Sequence, residues 1–186
     1  MAGEPYGRIE FHLDKCGGSA LNKRSFPQRR KLAMYETVLF MHSWLRWLLV
    51  LIATALFSRS LFALIRSSTY NRADQLFAKL LFHALNAQLV LGLLLYGIFS
   101  PITRAALSDI GLAMQNSVLR FFAIEHQFAA LLAIGLGHIA VAKGKRAEGD
   151  RAKHRALFKW GGFCLLWILI AVPWPFMRYA RPLFFW

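Results

Sequence analysis

Residues 118–142 read VLRFFAIEHQFAALLAIGLGHIAVA. A bilayer core about 30 Å thick is crossed by roughly 20 mostly apolar helical residues, so this stretch is long enough to span. It nevertheless carries Arg120, Glu125, His126 and His138. Three further stretches, 38–57, 76–99 and 157–177, have the same length and apolar character. Of the 186 residues 57% are hydrophobic and only 17% are charged, against ~25% in a soluble domain. The expected fold is therefore an all-α integral membrane protein, a four-transmembrane-helix bundle. No strand alternation, phosphate-binding glycine loop or internal repeat interrupts it.

Short-loop charge gives the orientation. Arg59, Arg66 and Arg72 lie in the first connection, and Lys143, Lys145, Arg146, Arg151, Lys153 and Arg155 in the third, whereas the second has only Arg104. By the positive-inside rule the first and third connections face the cytoplasm, and both termini are on the non-cytoplasmic side. The net charge of +14 then belongs beside anionic headgroups of the lipid bilayer, and no nucleic-acid partner is expected.

Residues 1–33 conflict with that topology, since Arg8, Lys15, Lys23, Arg24, Arg29, Arg30 and Lys31 would have to be exported. No apolar h-region makes them a signal peptide. Arg29-Arg30-Lys31 can be encoded as AGG AGG AAA, a bacterial ribosome-binding sequence two codons ahead of an ATG for Met34. The expectation is a basic extension over 1–33, translated from upstream of a native start at Met34, and a four-helix membrane domain over 34–186. A basic tail on the membrane surface is the alternative. Cys16 and Cys164 form no CxxC or CxxCH, which excludes covalently attached haem and a disulfide framework.

Ionisable groups at membrane depth are costly and point to function. They are His42 and Arg46 in the first span, Lys79 and His83 with Asn86 and Gln88 in the second, and Arg120, Glu125, His126 and His138 in the third. At ~1.5 Å per residue His42 and His126 lie toward the outer side, and His83 and His138 toward the inner side. His126 and His138 are about 18 Å apart along one helix, so no single small ligand bridges them.

Neutral imidazoles projecting inward from facing helices are what a b-type haem requires. His126 is the first choice of axial ligand to the haem iron, with His42 or His83 opposite, and His83 with His138 would make an inner site. Ala129, Ala130, Ala133 and Gly137 would clear room for a flat macrocycle, and Arg46 and Arg120 would neutralise propionates. Each feature also has a plainer reading. Small residues let helices approach, intramembrane histidines hydrogen-bond between helices, His42 can be an interfacial anchor, and Lys79 can snorkel. Glu125 would form a proton-handling or polar network with His126 or Gln88, or pair with Arg120 or Arg46. His154, in the basic connection, is expected to be solvated.

MHSWLRWLLVLI from Met41, HALNAQLVLGLLLY from His83, SVLRFFAIEHQFAALLAIGLGHIA from Ser117 and AVPWPF from Ala171 resemble, in order and spacing, small four-helix bacterial membrane proteins labelled cytochrome b or cytochrome b-like. The resemblance covers residues 34 to about 176. It implies a haem role, and its motif positions are His42, Arg46, His83, Gln88, Arg120, Glu125 and His126. The expected function is membrane electron transfer through one or two non-covalent haem b groups in the bacterial inner membrane. Respiratory-complex subunits or a quinone would be its partners, and a homo-oligomer is allowed. The alternatives are a haem-free accessory or scaffold subunit and a proton-coupled permease. Against the permease stand four spans without an inverted repeat.

Overall fold

The structure is a computed structural model that describes residues 26–178; side chains are described from Gln28 onward. The chain runs through α1 (Phe26–Arg66) into α2 (Arg72–Leu94), which continues as a π-helical turn over Leu95–Phe99. Two short helices follow, α3 (Pro101–Ser108) and α4 (Ile110–Gln115). The third span is composite: α5 (Ser117–Arg120), a second π-helical turn over Phe121–Glu125, and α6 (His126–Arg146). Helix α7 (Asp150–Ala171) completes the bundle. Four helical stretches, Gln28–Arg66, Arg72–Phe99, Ser117–Arg146 and Asp150–Ala171, are long and apolar enough to cross a membrane.

These boundaries differ from the hydropathy reading in an instructive way. Hydropathy sees only the part of a helix matched to hydrocarbon, while the hydrogen-bonded rod continues beyond it. Helix α1 therefore starts a dozen residues before the expected 38 and passes through Met34 without interruption. The rest of the 1–33 extension, with His12 and Cys16, lies outside the described residues. Helix α7 begins seven residues before 157, because only residues 147–149 link it to α6. That tight link uses Gly149 at φ +80°, a left-handed backbone that a Cβ disfavours. The same helix ends at Ala171 rather than at 177. Val172 precedes Pro173, which disfavours helical geometry before it and supplies no N–H.

Caps account for the connection between α2 and α5. Ser100 accepts from the Thr103 N–H, with Pro101 at the first helical position where its missing donor costs nothing. Asp109 accepts from Leu112 N at 2.9 Å, and Asn116 from Val118 N and Leu119 N at 3.0 and 3.1 Å. Each short element thus has its orphan donors partly met at its N-terminus.

The core fills the middle of the bundle and its basic end, where Leu56, Leu81, Leu85, Leu157 and Cys164 are at most 1% exposed. Helices α6 and α7 pack most extensively. Gly137 permits this: a Cβ there would overlap Leu85 and come within 3.0 Å of Cys164 Sγ. The outside is as apolar as the inside, with Leu51 66% and Ile65 70% exposed. Such a surface suits lipid better than water.

Candidate functional site

At the end of the bundle away from the basic links, the four spans diverge around a cavity of about 340 Å³. That size lies within the ~300–1,000 Å³ of small-molecule sites. Helix α1 contributes Tyr35, Leu39, His42, Arg46 and Leu49, a set spaced to fall on one helix face. Gln88 and Gly92 come from α2, Tyr96 from the first π-helical turn, and His126, Gln127, Ala130 and Ala133 from α6. Ala171, Val172 and Pro173 close the fourth side.

His42 and His126 meet across this space. Their ring centroids are 6.3 Å apart and the planes are inclined at 65°. The His126 Nδ1 lies 2.8 Å from the Ala171 carbonyl oxygen, which can only accept. The ring proton is thereby held on Nδ1, and Nε2 keeps its lone pair. Phe121 and Phe122 flank the same ring at 5.7 and 6.2 Å. On the opposite wall the Gln88 amide Nε2 lies 3.2 Å from His42 Nε2 and 3.2 Å from the His42 carbonyl oxygen. His42 Nδ1 and Gln88 Oε1 are buried without a hydrogen-bond partner. Whichever tautomer His42 adopts, a buried nitrogen is left unmet, a cost that native proteins rarely leave uncompensated.

Both π-helical turns border the cavity. The wider turn inserts a residue into the α-helical count and re-aims the side chains that follow, a feature that recurs at functional sites. In the third span it lies immediately before His126. In the second it places Tyr96 on the cavity wall, and Thr103 Oγ1 caps the Tyr96 carbonyl at 2.9 Å. Nothing in the apolar periodicity of FFAIE or LYGIF distinguishes these turns from ordinary helix.

The residues singled out in the sequence separate into three places. His42, Arg46, Gln88 and His126 line the cavity. The Arg46 guanidinium also lies over the Trp47 ring, 5.2 Å from its centroid. Arg120 and Glu125 are instead joined to each other at the exposed end of the third span, Nε to Oε1 at 2.7 Å, and Arg120 also donates to the Met114 carbonyl. Neither lines the cavity, so Arg120 does not face a group bound there. His83 and His138 lie elsewhere again. The His138 ring contacts Phe82 at 4.9 Å between α6 and α2, whereas the His83 ring touches only Phe82, its neighbour in the chain, at 5.4 Å and is exposed. Of the two proposed partners for His126, the structure places His42 across from it. The small-residue stripe divides between two places: Ala130 and Ala133 line the cavity, while Gly137 allows close packing.

One histidine corrects the sequence reading. His154 is 1% exposed rather than solvated, because α7 extends through the supposed loop. Its ring meets Tyr70 edge-on at 5.3 Å, and both ring nitrogens lack a hydrogen-bond partner. Tyr35, Tyr96 and Gln127 are cavity residues that the sequence reading did not select. The spacing from Tyr35 to Leu39, His42 and Arg46 was the available signal for the first of them.

Among the described residues no group of three or more His, Cys, Asp or Glu side chains converges in a way that would hold a bare metal ion. A haem iron asks for less, two axial nitrogens, because the macrocycle supplies the rest. No protein-family model matches the chain, and no curated protein or solved structure does either.

Proposed function

We propose that the chain is an integral protein of the bacterial inner membrane, similar to the small cytochrome b-like proteins, and that it transfers electrons through one non-covalent b-type haem held between His42 and His126. The spacing of those two rings carries the reading. The centroids lie 6.3 Å apart across the cavity, a separation at which one nitrogen of each ring could be offered to a single group between them. Further support comes from the donor set. His126 has its tautomer held by Ala171, and His42 has a buried nitrogen in want of a partner.

When bound, the haem supplies the one-electron redox couple. The chain's own residues do the remainder. Ala171 orients His126, Gln88 orients His42, and Arg46 places positive charge at the cavity wall where a propionate would be neutralised. The mainly apolar lining, including Leu39, Leu49, Leu85 and Leu89, restricts water, which raises the influence of each nearby charge on the potential.

The test is a dithionite-reduced minus oxidised spectrum of the full chain purified from haem-replete cells, with pyridine-haemochrome quantification. A sharp reduced α band near one haem per chain is expected. It should disappear in His42→Ala and His126→Ala and persist in His83→Ala. A folded, colourless wild-type protein would overturn the assignment in favour of a haem-free accessory subunit.

A further inference from the structure

The face of α2 turned away from the bundle carries Gln75, Lys79 and His83, all exposed, and Asn86, which is half-buried. At 3.6 residues per turn these positions and Val90 fall within an arc of roughly 80°. They form a polar stripe on a helix otherwise fit to face hydrocarbon. Asn86 is at the middle of the 28-residue span Arg72–Phe99, about 20 Å from either end. Its Nδ2 folds back to the Phe82 carbonyl at 2.7 Å, while Oδ1 accepts nothing among the described residues. The His83 ring has a contact with Phe82 but no hydrogen bond among the described residues.

Lipid tails offer these groups no partner. The bundle covers Asn86 only in part and leaves Gln75, Lys79 and His83 open. In the most apolar part of this span 17% of residues are buried, against 28%, 28% and 33% in the other three, so α2 is the helix with most surface to spare. The chemistry of the stripe narrows what occupies it. Asn and neutral His each present both a donor and an acceptor, so each can pair with its own kind. Two-fold symmetry brings residues of equal depth together, and a self-complementary stripe is what such symmetry requires. An acidic counterpart is not needed, because Lys79 lies about 10 Å nearer the basic end than Asn86 and can extend toward headgroups.

We infer that two copies of this chain pack along their α2 faces about an axis normal to the membrane, with Asn86 and His83 hydrogen-bonding their counterparts. The inference rests on the membrane-spanning reading of the bundle and is independent of the haem. Interhelical bonds from Asn and His are an established means of joining spans in lipid.

Cysteine cross-linking in carbonate-washed membranes tests it, with the full chain in a Cys16→Ser background. Val90→Cys, on the same face and 56% exposed, should give a disulfide-linked dimer on mild oxidation. Leu166→Cys, 51% exposed on α7 at a similar depth, should stay monomeric. Adding Asn86→Leu should lower the Val90→Cys dimer yield several-fold. A monomeric Val90→Cys protein, equal cross-linking from Leu166→Cys, an unchanged yield with Asn86→Leu, or an adduct to a different polypeptide would each overturn the proposal. Absence of the protein from the washed membranes would instead overturn the membrane reading beneath it.

Discussion

His126 and His42 are presented to each other by different devices. The His126 ring is tied to the Ala171 carbonyl at the end of α7, where the helix stops before Pro173. His42 is held by the Gln88 side chain of α2, within reach of both its ring and its carbonyl. Three helices besides α1 thus set one pair of imidazoles. Gln88→Leu keeps the volume and removes the anchor, so under the haem-binding proposal it should weaken haem affinity about 10–100-fold, the usual effect of losing a ligand-orienting hydrogen bond. Haem titration of the haem-free protein would measure this, and an unchanged affinity would show that Gln88 does not position His42.

Gly137→Ala should destabilise the bundle by about 1–3 kcal/mol, because the new methyl meets Leu85 on one side and Cys164 on the other. Gly135→Ala is its control. No atom lies within 4 Å of a Cβ at that position, and alanine favours helix, so the change should be neutral or slightly stabilising. Thermal unfolding of both variants in one detergent separates the two outcomes.

Asp74 joins the first two spans at the basic end. Its carboxylate accepts from Arg59 Nε and Nη2 at 3.0 and 2.8 Å, and completes a capping box with Asn71. The side chain is 4% exposed while Arg59 is 38% exposed, so the arginine can be rehydrated after the acid is lost. Asp74→Ala should therefore cost about 1–3 kcal/mol, the range for losing a cap and a charged hydrogen bond. Asp74→Asn should cost less. Equal melting temperatures for wild type and alanine variant would show the pair to be energetically idle.

Tyr70, between α1 and α2, titrates above its ordinary value, first because burial penalises phenolate and then because Asp74 is negative. With the folded value raised, the unfolded chain releases its proton first as pH climbs past about 10. Stability is thus fully present below that point and declines through the folded value. Tyrosinate absorbance should show a late component that Tyr70→Phe removes. A Tyr70→Phe titration identical to wild type would contradict this.

The number and order of the four membrane-length apolar helices were legible because a run of about twenty apolar residues has few other uses. So was the convergence of motif residues: HSWLR and AIEHQ bring His42, Arg46 and His126 to one cavity. Hydropathy misplaced the helix ends, since the polar turns of α1 and α7 resemble loops in composition. It also left His154 in water, although a three-residue link required helix there. The separation of Arg120 from Arg46 was hidden for another reason. Both are one helical turn or two from a cavity histidine, but a π-helical turn intervenes for only one of them.

That intervening turn makes the span tolerant of a change in residue number. An α-helix rotates by about 100° per residue, and the wider turn takes up one extra residue, so its two flanks keep nearly the phase of an uninterrupted helix one residue shorter. Removing one of the five positions 121–125 would let an α-helix close with Arg120 and His126 still aimed much as they are, at the cost of the local widening that precedes His126. Descendants of this sequence can thus shed one codon across FFAIE and keep both ends of the span in phase. A change that forced the same number of residues into α-helix would instead turn Arg120 and everything before it by about 100°.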